Sequence, residues 1–275
     1  MNAIPQLTMN DGNTIPQLGL GTYKMNDRQA RESVRYALEL GYRHIDTASL
    51  YGNEVGVGQG IADAIDAGAV KREDIFVTTK VWNDAQRAEA TRASVMDSLQ
   101  KLGLEYVDLV LVHWPVADSG TFVECYETLL ELQAEGVIRS VGVANFYPEV
   151  LDKLPSAPAV NQIELHPAFP QEEQLADDTR RGILTQAWRP IGRARYFAGS
   201  PLADIADELG KTPAQVTLRW HLQRGVIAIP KSATAERIRE NFEITDFELS
   251  DDHMHRIAEM ASPDGRQSAD PRNFG

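Results

Sequence analysis

The sequence is poor in cysteine, in basic residues and in long apolar runs, and each shortage excludes a class of protein or of site. It holds one cysteine, Cys125, so neither an intramolecular disulfide nor a thiolate metal cluster can form. Its 27 basic residues are outnumbered by 40 acidic ones, and the net charge of −13 gives no attraction for nucleic acid or an anionic membrane. No apolar run approaches the roughly 18 residues of a membrane helix. We therefore expect neither nucleic acid nor membrane as a partner.

The rest of the composition is that of an ordinary globular chain. Its 275 residues are 43% apolar and 24% charged, and 20 glycines with 14 prolines give no low-complexity signal. The stretch from Met1 to Gln6 lacks the basic and then apolar layout of a signal peptide, which together with the lone cysteine favours the cytoplasm. No linker, charge block or sequence repeat divides the chain, so we expect one domain over residues 1–275.

An Asp-Gly turn between residues 4–9 and residues 14–18 predicts an N-terminal β-hairpin. After it, short apolar runs alternate along the chain with segments of helical periodicity. Eight strand–helix units in this length favour a closed α/β barrel, the (β/α)8 TIM barrel, over an open sheet. The predicted strands are Leu18–Gly21, His44–Asp46, Ile75–Lys80, Val107–His113, Val141–Ala144, Val160–Glu164, Leu184–Trp188 and Val226–Ile229.

The helices between these strands are marked by apolar spacing and by their end residues. Asp27–Leu40, Ala88–Leu102 and Phe122–Gln133 each place apolar residues on one face. Thr212 and Pro213 are typical of an N-cap and first turn, and they predict a further helix over Ala214–Gln223.

Several common catalytic motifs are missing. The glycine-rich stretches at 19–21 and 56–60 do not read Gly-x-Gly-x-x-Gly between a strand and a helix, so the Rossmann fingerprint is absent. No P-loop, Gly-x-Ser-x-Gly elbow or His-Glu-x-x-His zinc motif occurs. His253 and His255 lie two apart on a predicted helix and face different sides, so we expect no metal site.

Four polar residues stand at or just after neighbouring strand ends, where a barrel collects its functional groups. They are Asp46, Lys80, His113 and, in the loop after Asp46, Tyr51. An ammonium beside a phenol favours the phenolate, a carboxylate keeps the ammonium charged, and an imidazole can orient a carbonyl oxygen. Taken singly, these residues also suit structural roles: Asp46 and Lys80 as an ion pair, His113 as a core histidine and Tyr51 as a packed ring. Together they favour general acid catalysis by Tyr51.

The motifs around these residues are similar to those of the aldo-keto reductase family. The resemblance runs in order from about residue 4 to about residue 260 and is closest to bacterial 2,5-diketo-D-gluconate reductases, through Lys80–Asn83 and Ala187–Gly192. The segments that carry it are His44–Ala48, Tyr51–Glu54, Thr78–Trp82, Asp108–Pro115, Val160–Pro167 and Ile229–Ser232.

The resemblance implies a monomeric NADP(H)-dependent reductase of small carbonyl compounds, with no metal and no obligate protein partner. Tyr51 would be the general acid, with a pKa lowered by Lys80 in its pair with Asp46, and His113 would orient the carbonyl. Keto-sugars such as 2,5-diketo-D-gluconate and small dicarbonyls would be the substrates.

The cofactor residues also follow from the resemblance. Asn145 and Gln162 would bind the nicotinamide carboxamide, and Trp188 would stack on the ring. Lys231, Ser232, Arg237 and Asn241 would hold the adenosine end, the first three around a 2′-phosphate. A cationic cluster on so acidic a chain favours NADP(H), with NAD(H) as the weaker alternative.

Three positions depart from the pattern of the family. Ala144 stands where a serine usually helps to bind the carboxamide. Arg189 replaces a small residue near the expected pyrophosphate, and we add it to the predicted cofactor-binding residues. Its side chain either pairs with phosphate or points outward. Thr234 stands where related reductases often have a basic residue, which weakens the case for strict NADPH use.

The substrate pocket is assigned to aromatic residues near strand ends, and ordinary loop packing is their alternative role. They are Tyr23, Trp82, Trp114 and Phe146. Two other functions stay open at this point. A non-catalytic nicotinamide-cofactor sensor or interaction protein would suit Ala144 and Arg189, and a barrel isomerase or lyase would not respond to nicotinamide cofactors at all.

Overall fold

A computed structural model describes residues 3–274. Eight of its strands form one parallel sheet in which each strand pairs with the next along the chain. Isolated parallel pairs of Leu18 with Ala228 and Gly21 with Lys231 join the first of these strands to the last, so the sheet closes on itself. The predicted (β/α)8 barrel is confirmed.

The barrel strands follow a short antiparallel hairpin of β1 (Gln6–Thr8) and β2 (Thr14–Pro16). They are β3 (Leu20–Gly21), β4 (His44–Asp46), β5 (Phe76–Val81), β6 (Val107–Val112), β7 (Ile138–Ala144), β8 (Val160–Glu164), β9 (Leu184–Trp188) and β10 (Ile227–Ala228). The hairpin and strands β3 and β10 are shorter than predicted, and β7 begins three residues earlier, at Ile138.

The helices are α1 (Asp27–Leu40), α2 (Glu54–Asp66), α3 (Ala88–Leu102), α4 (Thr121–Ala134), α5 (Pro148–Leu151), α6 (Glu172–Arg180), α7 (Pro201–Leu209), α8 (Pro213–Gln223), α9 (Ala235–Phe242) and α10 (Asp251–Ala258). The predicted bounds of α1 and α3 are confirmed. The predicted N-cap of α8 is confirmed too, because the Thr212 hydroxyl accepts a hydrogen bond from the Gln215 backbone N–H. Within residues 3–274, no helix is long and apolar enough to cross a membrane.

Two apolar layers position the mouth of the barrel. Outward-facing strand residues such as Val110 and Val143 pack with helix residues such as Leu129 in the main core. A second cluster joins Ile15 of the hairpin to Leu109 and Leu111 of β6. The hairpin therefore packs on apolar residues of the barrel strands, while the polar side chains gather at the carboxyl ends of the strands.

Candidate active site

The four predicted catalytic residues come together at the carboxyl ends of adjacent strands. Asp46 is the last residue of β4, Lys80 lies one residue before the end of β5, and His113 directly follows β6. Tyr51 ends a short 3-10 turn that leaves β4. Parallel pairing of β4 with β5 and of β5 with β6 brings these strand ends to one edge.

Lys80 is the centre of the group. Its ammonium donates to Asp46 Oδ1 at 2.6 Å, to the Thr47 carbonyl at 2.7 Å and to the Tyr51 hydroxyl at 3.5 Å. The Lys80 side chain is 0% exposed and that of Asp46 2%. An ammonium has three N–H groups, so each has one acceptor here, and the third is directed at the phenol oxygen.

The turn that holds Tyr51 is fixed by buried polar contacts. The Asn53 side-chain amide donates to the carbonyls of Thr22 and Met25 at 2.9 and 3.0 Å, and its oxygen accepts from the Thr47 hydroxyl. The Ser49 hydroxyl donates to the Lys80 carbonyl at 2.9 Å. The phenol is thus oriented by backbone groups on both sides of β4.

Burial sets the protonation of the two ring side chains. Burial first, and then the charge of Asp46, raises the pKa of the Tyr51 phenol well above 10. The expectation that Lys80 lowers this pKa is therefore wrong in its net direction. Burial and the charge of Lys80 hold the pKa of His113 well below 6.5. At neutral pH the site thus presents a protonated phenol beside a neutral imidazole, with ring centroids 5.9 Å apart.

The side chains predicted for the nicotinamide come from the next three strands, Asn145 just after β7, Gln162 from the middle of β8 and Trp188 from the end of β9. Gln162 of β8 donates to Asp46 Oδ2 at 2.7 Å. Asn145 follows β7 with a left-handed φ of 65° and donates to the His113 carbonyl at 3.0 Å. Its oxygen accepts from the Trp188 indole N–H at 3.0 Å. These groups are thus continuous with the catalytic cluster, and buried Ala144 before Asn145 adds no polar group.

The residues predicted for the adenosine end lie after β10. Lys231 and Arg237 are exposed, and neither makes an ion pair with any residue in the range 3–274. Ser232 and Asn241 are buried beside them, and the Ser232 hydroxyl accepts from the Thr234 N–H at 3.4 Å. Two such cations near a buried hydroxyl suit the charge of a phosphate ester.

Three of the four predicted pocket aromatics lie at the mouth. Tyr23 is 5.0 Å from Tyr51 between ring centroids, and Trp82 stands edge-on to His113 at 4.9 Å. Trp114 packs against Phe274 at 4.3 Å. Phe146 lies apart from them, because it is 1% exposed and stacks edge-on against Phe122 of α4.

The C-terminal segment supplies site residues that the sequence reasoning missed. Phe274 also faces Trp82 at 6.4 Å, so it joins the aromatic group at the mouth. The backbone N–H of Gln267 donates to Glu164 Oε1 at 2.7 Å, and its carbonyl accepts from Arg189 at 3.1 Å. Glu164 is the last residue of a predicted strand, but no sequence signal links residue 164 to residue 267.

Known proteins are similar to this chain in sequence. The family model described as the aldo/keto reductase family matches residues 17–262. An aldo-keto reductase of Mycolicibacterium smegmatis is 46% identical over 98% of both chains, and the methylglyoxal reductase DkgA of Escherichia coli is 42% identical over 98% of both.

Solved structures agree with the sequence comparisons. The crystal structure of a point mutant of Gox0644 in complex with NADPH superposes with a TM-score of 0.94, at 40% identity and 100% coverage of both chains. A Bombyx mori aldo-keto reductase in complex with NADP, 35% identical over 95% of this chain and 94% of its own, gives a TM-score of 0.87. The barrel and its match to these proteins show that this chain belongs to the aldo/keto reductase family.

Proposed function

We propose that this protein reduces the carbonyl group of small aldehydes and ketones to an alcohol with NADPH as the reductant and Tyr51 as the proton donor. The observation that supports the proposal most strongly is the contact of the buried Lys80 ammonium with both Asp46 and the Tyr51 hydroxyl. A phenol held protonated by burial and supported by an ammonium suits proton donation to a developing alkoxide.

The neighbouring groups have complementary roles in this proposal. His113 is neutral, and its Nδ1 has no hydrogen-bond partner among residues 3–274. Its imidazole would help to orient the carbonyl oxygen against Tyr51. Lys80 donates to the phenol oxygen and stabilises the negative charge that forms there when the proton leaves. Asp46 keeps Lys80 charged.

The cofactor fits the remaining polar groups. Bound NADPH supplies the hydride that the carbonyl carbon accepts. Asn145 and Gln162 would bind the nicotinamide carboxamide and Trp188 would cover one face of the ring. Lys231, Ser232, Arg237 and Asn241 would hold the adenosine end. The two exposed cations at 231 and 237 support a preference for NADPH over NADH, because NADH lacks the 2′-phosphate.

We propose small dicarbonyls as the first substrates to test, with keto-sugars second. The Escherichia coli relative is named a methylglyoxal reductase. The mouth is bordered by rings of Tyr23, Trp82, Trp114 and Phe274, which suit small, flat carbonyl compounds. The cytoplasmic location and the monomeric state stay predictions from the sequence.

The test follows the loss of NADPH absorbance with methylglyoxal, phenylglyoxal and 2,5-diketo-D-gluconate, and then with NADH. Wild type is compared with Lys80→Met, which keeps the bulk of the side chain and removes its charge. Saturable turnover that Lys80→Met lowers by about 10²-fold or more supports the proposal. Binding of NADPH without reduction of any of the three carbonyls would favour a cofactor sensor, and no response to NADPH would favour another chemistry.

A further inference from the structure

The C-terminal segment of residues 262–274, here called the strap, crosses the mouth of the barrel. At its start, the Ser262 N–H donates to the Ala168 carbonyl at 3.1 Å. A Cβ at Gly265 would lie 1.9 Å from the same carbonyl oxygen, so only glycine allows this close approach. At its end, Phe274 packs on Trp114. The strap therefore has two fixed ends, with the substrate-facing aromatics under the second.

Between these ends, one residue of the strap is held from both sides. The Gln267 N–H donates to the carboxylate of Glu164, which is 2% exposed, at 2.7 Å. The Gln267 carbonyl accepts from Arg189 at 3.1 Å, and its side-chain amide donates to the Gly192 carbonyl at 3.0 Å. Residues at and after the ends of β8 and β9 thus hold the strap at a single residue, Gln267.

The guanidinium of Arg189 has more hydrogen-bond donors than its contact with the strap uses. One of its five N–H groups donates to Gln267, and the others make no hydrogen bond to any residue described between 3 and 274. Three charges act on it: those of Arg193 and Arg195, which are exposed, and that of the Glu164 carboxylate, which makes no ion pair with it and already accepts from the Gln267 N–H. A half-buried guanidinium beside two other cations favours the binding of an anion.

The position of Arg189 indicates which anion its guanidinium would bind. The groups assigned to the nicotinamide come from β7, β8 and β9, and those assigned to the adenosine follow β10. The diphosphate that links the two halves of the cofactor must cross the edge between β9 and β10. Arg189 directly follows β9, its guanidinium 5.1 Å from the Trp188 ring centroid.

We propose that Arg189 is a positioning residue that couples cofactor binding to closure of the strap. Its free N–H groups bind the diphosphate while Nη1 keeps the Gln267 carbonyl. Cofactor binding thereby fixes the strap, and with it Phe274, over the substrate. The inference rests on the proposed function and adds a link between the cofactor site and the aromatic mouth.

Trypsin can report on the strap because two arginines lie within it. In the docked strap, Arg266 stacks on Phe169 at 4.6 Å and Arg272 on Tyr147 at 4.5 Å. Cleavage after either residue needs local opening, and its rate follows the population of the open state. We expect saturating NADPH to slow release of the C-terminal fragments of wild type, followed by mass spectrometry, by about fivefold or more.

The variant and its control separate coupling from binding. Arg189→Ala should still bind NADPH by calorimetry, yet saturating NADPH should protect its strap less than about twofold. Arg237→Ala should bind NADPH more weakly but gain the protection of wild type at saturation. Protection of Arg189→Ala equal to that of wild type, or a wild-type strap cut equally fast with and without NADPH, would overturn the inference.

A second variant covers the case in which Arg189→Ala does not fold. Phe274→Ala removes the packing at the far end of the strap and so favours its open state. If NADPH binds the closed state more tightly, a more open strap must weaken NADPH binding. The weakening is at most the factor by which NADPH slows cleavage of the strap. If trypsin shows that the strap of this variant is mostly open without NADPH, an NADPH affinity unchanged from wild type would contradict the coupling. Failure of wild type to bind NADPH at all would instead overturn the proposed function, and this inference with it.

Discussion

Gln162 donates a 2.7 Å hydrogen bond to Asp46, across 116 positions of sequence. Oδ1 of the same carboxylate accepts from Lys80 at 2.6 Å. One carboxylate therefore orients both the ammonium that supports the proposed proton donor and an amide proposed to bind the nicotinamide. A change at Asp46 is expected to disturb both at once.

Replacing Asp46 with asparagine should destabilise the fold as well as the chemistry. The change leaves the Lys80 ammonium, 0% exposed, without its counter-charge. Burial already lowers the pKa of Lys80, and loss of Asp46 removes the main opposing effect. We expect the free energy of unfolding to fall by about 3–5 kcal/mol, measured by urea denaturation. As the control, Asp63→Asn, which breaks the exposed pair with Arg31, should cost far less; equal losses would contradict the account.

The pH profile should show no acid limb from His113. Burial and the Lys80 charge hold the pKa of this imidazole well below 6.5, and burial raises that of Tyr51 well above 10. Since neither group titrates in between, kcat/KM for carbonyl reduction should not fall as pH decreases from 8 to 6.5. His113→Gln should lower the rate and keep the shape of the profile. An acid limb near pH 6.5 that vanishes in this variant would show that His113 titrates there.

Asp178 should make the folded protein more stable as the pH falls below neutral. Its carboxylate is buried, and burial raises its pKa from 3.8 to about 6, despite hydrogen bonds from Asn161, Gln174 and Thr185. The folded state then binds more protons than the unfolded state between these two values, so this contribution grows as pH falls and is lost as pH rises.

The comparison of wild type with Asp178→Asn isolates this effect, because all other titrating groups are shared. From pH 7 to pH 5, wild type should gain about 1 kcal/mol in unfolding free energy relative to the variant. Denaturant titrations at the two pH values measure the difference. Parallel pH dependences of the two proteins would place the pKa of Asp178 near its unfolded value.

Arg237→Ala should change cofactor preference more than catalysis. If Arg237 and Lys231 bind the 2′-phosphate, loss of one charge-assisted contact should weaken NADPH binding by about tenfold or more. NADH binding should stay within about twofold, because NADH has no such phosphate. Fluorescence titration with both cofactors measures this. An equal loss of affinity for both would place Arg237 against another part of the cofactor, or in a structural role.

The clustering of the proposed catalytic residues could be predicted from the sequence, because in a barrel the ends of consecutive parallel strands lie side by side. Asp46, Lys80 and His113 stand at the ends of consecutive strands, and parallel neighbours bring those ends together. The direction of the Tyr51 pKa was not predictable in this way. It depends on how much water the neighbouring loops exclude, and burial outweighs the ammonium.

Two other features needed the folded chain. Phe146 follows Asn145, whose left-handed backbone turns the chain at the end of β7, so the next ring enters the core beside Phe122 instead of the mouth. The return of Gln267 and Phe274 to the mouth joins residues about 100 or more positions apart. No periodicity or spacing in a single sequence encodes such a contact.

The most direct test of the central claim follows one turnover of methylglyoxal with NADPH that carries deuterium at both C4 positions of the nicotinamide. The account predicts one deuterium on the former carbonyl carbon of the alcohol. Tyr51→Phe should bind NADPH as wild type does and form this alcohol slower by about 10²- to 10⁴-fold. An alcohol without deuterium, or a Tyr51→Phe rate equal to that of wild type, would contradict hydride transfer with Tyr51 as the acid.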